Sequence, residues 1–282
     1  MNAETLTELG SNIDDAFFII GGFIFLIEIA EALFKGSLKG KKVGEMLVSA
    51  STQIPYLLVE ILIMTSAYGI FYILSASFVS WTLPYEWWVI VLAVIVADLT
   101  YYWEHRIAHE VRILWTQHAV HHSSRDLNII TGIRFGPLEG VWSLVAHIPM
   151  VFLGFPPELI FFGIIVVLAY QTWLHTELIG KLGWLEAFLN TPSHHRVHHG
   201  SDDKYLDKNY GGILIIWDRI FGTFQVEEET PIYGLKRDFD SRNPVEVWFS
   251  EIPGLFKDIR SSRSVGDAFK YMFKHPGWKA DE

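Results

Sequence analysis

Apolar runs decide what this chain can fold into. Residues 16–34 form one such run, broken only by Glu28 and Glu31. Residues 54–78 form a longer one that carries only Glu60, and residues 87–103 a third that carries only Asp98. Residues 140–157 and 159–174 carry no Asp, Glu, Lys or Arg. About 20 apolar residues span the hydrocarbon core of a bilayer as a helix. Pro156-Pro157 reads as a tight turn between the last two runs. A soluble all-helical core is the other reading of such runs. Five of them before residue 175, with only 19% charged residues against about 25% in average chains, favour the membrane. The first run stands too far from Met1, with too acidic a flank, to read as a signal peptide.

Lys35, Lys39, Lys41 and Lys42 follow the first run, whereas Glu4, Glu8, Asp14 and Asp15 precede it with no Lys or Arg. The positive-inside rule then predicts a cytoplasmic 35–50 segment. The second run goes out and the third returns, so residue 105 onward is cytoplasmic. The 140–174 pair, crossing twice or re-entering as a hairpin, brings His175 back to the same face. The expected architecture is all-α: about four to five spans or re-entrant helices under a cytoplasmic helical cap. The whole chain reads as one membrane domain. Its remainder, from about 176, is more polar, and residues 244–274 could lie on the membrane as amphipathic helices. Trp81, Tyr85, Trp87 and Trp88 suit an interfacial belt.

Composition narrows the chemistry. The chain has no Cys, 12 His and a formal net charge of -10. Thiolate zinc sites, iron–sulfur clusters and cysteine nucleophiles are excluded, and a nucleic-acid surface is disfavoured. Any metal must be held by nitrogen and oxygen.

Ten of the 12 His fall in four places. They are His105 with His109; His118, His121 and His122; the lone His175; and His194, His195, His198 and His199. Residues at i, i+3 and i+4 share one helix face. His105 pairs with His109, and His118 and His195 each head an H-x-x-H-H triplet. With His175 these make nine imidazoles, enough for two metals with about four or five ligands each. His147 and His275 read as ordinary residues, and His194 as a neighbour of the ligands. No H-E-x-x-H is present, so the metalloprotease signature fails. Imidazole suits Zn, Cu, Fe and Ni, which leaves lipid hydrolysis, metal transport and oxygen activation open.

The clusters resemble those of the fatty acid hydroxylase/sterol desaturase superfamily, and the resemblance covers about residues 97–235. Its parts are Asp98-Leu-Thr-Tyr-Tyr-Trp-Glu-His105-Arg-Ile-Ala-His109-Glu110, then Gln117-His118-Ala-Val-His121-His122, then His175. Pro192-Ser-His-His-Arg-Val-His-His-Gly200 and Lys208-Asn-Tyr-Gly-Gly212, through Trp217-Asp218, complete it. The last two segments look most like the alkylglycerol monooxygenase branch. The resemblance implies two iron ions, dioxygen as co-substrate, a lipid substrate and an external electron donor, a tetrahydropterin in that branch. It implies His105, His109, His118, His121, His122, His175, His195, His198 and His199 as ligands. Desaturation of a sterol or acyl chain is the neighbouring outcome.

Carboxylates beside the clusters would fix the rings through imidazole N–H bonds. Glu104, Glu110, Glu177 and Asp218 are candidates, with Asp98 as an acid inside a span. Asp98, Glu110 and Asp218 are carried as the candidate catalytic acids. Trp103, Trp115, Trp173 and Trp217 suit packing around the site. Arg106, Arg125, Arg134 and Arg196 could meet a headgroup or an electron donor.

Overall fold

The computed structural model describes residues 1–280. Its order is α1 (Ala3–Phe34), α2 (Gly40–Phe78), α3 (Trp87–Glu110), α4 (Arg112–His122), α5 (Glu139–Phe152), α6 (Pro157–Gln171), α7 (Pro192–His198), α8 (Ile216–Phe221), α9 (Pro244–Trp248), α10 (Ile252–Arg260) and α11 (Val265–Phe273). Isolated β-bridges, Leu189 with Leu214 and Gly200 with Tyr233, are the extended pairings among the described residues.

The first three helices have the length and apolarity to cross a membrane. Each is longer than its apolar run. α1 begins at the Asn2 cap, whose side chain accepts from Thr5 N, and α2 carries Pro55 without ending. α5 and α6 have 14 and 15 residues, about 21–23 Å each at 1.5 Å per residue, short of a full hydrocarbon core. They fold as a hairpin that still reaches the α2–α3 turn. Leu83 N donates to Gly154 O at 2.8 Å, and the indole of Trp81 lies against the same turn.

Packing explains which helix is central. Ala93 and Ala97 of α3 meet Gly163 of α6, where an added Cβ would lie 2.7 Å from that of Ala97. Small residues let the two backbones approach. Leu159, Ile160, Val167, Met150 and Val151 then fill the core around α3. α1 and α2 instead turn Phe23, Leu26, Leu58, Ile61 and Leu62 outward, as a lipid-facing surface requires.

The bundle has two unlike ends. At one, the Met1 amino group donates to Tyr85 O, and Glu158 accepts from Tyr68 and Tyr85. At the other, Glu28 of α1 accepts from Thr176 and from Ile129 N, and Glu45 of α2 pairs with Arg134. The α1–α2 turn, the α3 C-terminus and His175 share this second end. α10 and α11 pack on α4 there, tied by Arg112 to Asp258 at 2.6 Å.

Candidate metal centre

The helix breaks at Val111 set up the site. α3 ends with His105 and His109 on one face, and α4 restarts at Arg112, turning its triplet back toward them. Pro192 opens α7, where a missing N–H costs nothing, and α7 presents the second triplet. His175 comes from the loop after α6. Gly132 leaves room for it, since a Cβ there would stand 2.8 Å from His175 Nδ1.

All nine imidazoles are buried and form two groups. His105, His109, His118, His122 and His198 make one; His121, His175, His195 and His199 make the other. Within each group the potential ligand atoms lie within 4.8 Å of one another. Nε2 atoms approach at 3.0 Å (His105 with His118), 3.1 Å (His121 with His175), 2.8 Å (His175 with His195) and 3.2 Å (His195 with His199). A metal–imidazole bond is about 2.0–2.1 Å, so neighbouring ligands on one ion stand about 3 Å apart. The spacing fits two ions. Nε2 of His109 and of His198 is buried with no hydrogen-bond partner.

The outer ring nitrogens are held from behind. His105 Nδ1 meets Tyr210 O at 3.0 Å, His121 Nδ1 meets Arg134 O at 3.2 Å, and His198 Nδ1 meets Lys208 O at 3.0 Å. His118 Nδ1 lies 2.5 Å from Glu139 Oε1, and His109 Nδ1 stands 3.4 Å from Asp207. A carbonyl can only accept, so those Nδ1 atoms carry the proton and the Nε2 lone pairs point inward. Burial, reinforced for most by neighbouring imidazoles, pushes the pKa values of His121, His122, His195, His198 and His199 well down; burial alone takes His118 to about 3. The rings stay neutral, the form that binds metal.

The acids singled out in sequence stand one step further back. Asp98 accepts from Ile213 N, Leu214 N and the Trp217 indole at 2.6–3.1 Å. Asp218 accepts from Tyr210 N, Gly211 N and Thr223 at 2.7–2.8 Å. Together they clamp the Tyr210–Leu214 loop, whose first carbonyl holds His105. Glu110 pairs with the half-buried Arg106, Glu177 meets Tyr233, and Glu104 accepts from Ser143. The structure brings none of these five acids to a clustered ring. Glu139 and Asp207 occupy that place. Glu139 sits one residue before the 140–157 run, and no sequence pattern singles out either acid. Asp207 and Asn209 adopt φ 58° and 57°, a left-handed turn that Asp and Asn tolerate. That turn delivers both Asp207 and the Lys208 carbonyl.

His194 lies outside both groups, edge-on to Phe224. His147 bonds Ser143 O, and His275 meets Asp207. Trp115 packs 5.0 Å from His109, and Trp217 serves Asp98. The four arginines are engaged: Arg106 with Glu110, Arg125 with Asp238, Arg134 with Glu45, and Arg196 with both carboxylate oxygens of Glu227.

A cavity of about 690 Å³ runs from the rings of His105, His118, His121, His175 and His195 between α1, α2, α3, α5 and α6. Phe18, Phe25, Leu57, Met64 and Leu168 give it an apolar wall, the lining an acyl or alkyl chain needs.

Residues 90–223 match the fatty acid hydroxylase family. The match spans α3 to α8 and every clustered histidine, so the family resemblance read from the histidines is shown. Among curated relatives, the human alkylglycerol monooxygenase is 38% identical over 263 residues, 91% of this chain and 58% of that protein. The Xenopus tropicalis alkylglycerol monooxygenase is 43% identical over 198 residues, covering 70% of this chain and 44% of its own. An ornithine lipid hydroxylase of Rhizobium tropici is 35% identical over 146 residues, covering 51% and 43%. The chain spans about half the length of these relatives. No solved structure matches it.

Proposed function

We propose that the protein is a membrane-bound di-iron oxygenase that hydroxylates a C–H bond of a lipid. The observation that carries this is the pair of neutral-imidazole groups opening onto an apolar cavity. His105, His109, His118, His122 and His198 would hold one iron, and His121, His175, His195 and His199 the other. Five imidazoles in one group exceed the four ligands of a tetrahedral zinc, which favours iron over a zinc hydrolase. The names of the relatives support an oxidoreductase and make an alkyl ether lipid the first substrate to test.

The iron pair supplies the redox chemistry of dioxygen that no side chain offers. The balance is R–H plus dioxygen, two electrons and two protons to R–OH plus water. The electrons come from an external donor, a tetrahydropterin by analogy with the alkylglycerol branch. The chain's own part is positional. Backbone carbonyls and Glu139 lock the rings, and the cavity wall excludes water and seats the chain beside them. Hydroxylation next to an ether oxygen gives a hemiacetal that collapses to an aldehyde and an alcohol. The end with Lys35 to Lys42 is assigned to the cytoplasm, which puts the histidines on that face.

Lipid mass spectrometry of cells with and without the gene, under labelled dioxygen, tests this. The reading predicts a lipid oxidised only with dioxygen, with labelled oxygen entering at the attacked carbon. Loss of two hydrogens without added oxygen would make the reaction a desaturation. Turnover without dioxygen, with oxygen entering from water, would contradict an oxygenase.

A further inference from the structure

Large apolar side chains are also exposed outside the spans. α11 turns Val265, Phe269 and Phe273 outward at 76%, 57% and 54% exposure, while Tyr271 is buried on its other side. Spacing of i, i+4 and i+8 makes these three one stripe, and the two Phe rings stack at 5.9 Å. α10 repeats the pattern: Leu255 is buried, Phe256 is exposed, and the exposed Arg260 follows Phe256 by one turn. Charge accompanies the stripe. Residues 257–279 hold Lys257, Arg260, Arg263, Lys270, Lys274 and Lys279 against Asp258 and Asp267, in a chain of net charge -10. Asp267 pairs with Lys270, and Asp258 with Lys279 and Arg112. Lys257, Arg260 and Lys274 have no ion pair among the described residues. Depth decides what this face meets. α3 has 24 residues, about 36 Å of helix, against about 30 Å of hydrocarbon and about 40–45 Å with the headgroups. With Trp87 and Trp88 in one interfacial belt, the far end of α3 stands among the opposite headgroups. Arg112, two residues past that end, donates its N–H to Lys274 O at 3.1 Å, which holds the end of α11 at headgroup depth.

We infer that α10 and α11 dock on the adjoining leaflet and bind its anionic lipids. The Val265–Phe269–Phe273 stripe seats at the boundary of headgroups and acyl chains, and the Lys and Arg residues beside it meet lipid phosphates and carboxylates. Lys35, Lys39, Lys41 and Lys42 stand at the same end of the bundle, so the charge faces one leaflet. Both helices pack on α4, which carries three of the clustered rings. A lipid surface under α10 and α11 therefore also steadies the support of the metal centre. The inference goes beyond the oxygenase reading and does not depend on it.

The chain has no Cys, so one introduced thiol can carry a fluorophore without competition. Phe273→Cys and, as a second reporter, Val265→Cys are labelled in the full chain in phosphatidylcholine nanodiscs with and without phosphatidylserine. Each label is quenched by doxyl lipid from the bilayer and by acrylamide from water. In the anionic discs doxyl lipid should quench strongly and acrylamide severalfold less than in detergent. Replacing Lys257, Arg260 and Lys274 together by Gln should restore acrylamide access severalfold there, since each cation near an anionic surface is worth about fivefold in binding. Phe269→Asp should free the label in both kinds of disc. Free acrylamide access in both kinds of disc would overturn the inference. So would a label shielded from acrylamide yet untouched by doxyl lipid, with shielding that grows with the number of chains per disc, because a second copy would then cover the stripe. Equal shielding with and without phosphatidylserine, unchanged in the triple variant, would overturn the selection of anionic lipid.

Discussion

The histidine end and the two long helices α1 and α2 follow opposite rules. At the histidine end every ring is buried, and most outer nitrogens are held by a carbonyl or carboxylate from another segment. Each constraint is itself constrained: His105 by Tyr210 O, Tyr210 by Asp218, and the loop beyond by Asp98. α1 and α2 bury little of their length: Leu6 and Phe71 enter the core, and Glu28 with Thr176 and Glu45 with Arg134 add polar ties. The contrast separates two tasks. Geometry for a metal pair needs over-determination, whereas a wall that receives a lipid needs apolar surface and a few polar points.

The sharpest break is at the rings. His121→Ala and His198→Ala should each abolish turnover and remove the iron of their own group, with membrane insertion intact. Iron analysis of the purified variants checks this, and full activity in either would contradict the ligand assignment. Acidification comes next. The pKa values of His118, His121 and His198 lie below the ordinary 6.5 in the folded protein, so the unfolded chain binds more protons below that pH. Stability of the metal-free protein is then full above about pH 6.5 and falls progressively on further acidification, while α1 and α2 feel little. Thermal unfolding at pH 7.5 and 5.5 should show a marked drop.

The clamps should cost less. Asp218→Ala leaves Tyr210 N, Gly211 N and Thr223 without their acceptor, worth about 2–4 kcal/mol in all. Denaturant unfolding reads the loss, and activity should fall with it because His105 loses its backing. Glu139→Ala should lower iron affinity or turnover about 10–100-fold, with Glu139→Gln partly rescuing because its amide oxygen still accepts from His118. Leu62→Ala, on the lipid-facing side of α2 at 70% exposure, should change turnover and stability by less than about 0.5 kcal/mol. A larger loss there would mean that α2 does more than wall the cavity.

What could be read in the sequence follows the same division. Helical phasing put the rings on shared faces, and the count of nine matched two groups, because i, i+3, i+4 geometry is local. The apolar runs marked the helices but not their lengths, since polar first turns such as Thr5-Leu6-Thr7 extend a helix without lengthening its apolar run. The partition of the rings between the two groups was hidden. His121 and His122 are neighbours in sequence yet fall in different groups, because adjacent residues on a helix point about 100° apart. The supports were hidden for another reason: most are backbone carbonyls, which no residue type announces. Asp98 and Asp218 were visible as acids, and only the fold shows that they grip a loop.

The central claim is that both histidine groups hold iron and that the pair activates dioxygen on a lipid. The most direct measurement is metal content of the purified active chain, paired with turnover under dioxygen and under nitrogen. About two iron ions per chain, with turnover only under dioxygen, is the predicted result. About two zinc ions per active chain and equal turnover under nitrogen would contradict it.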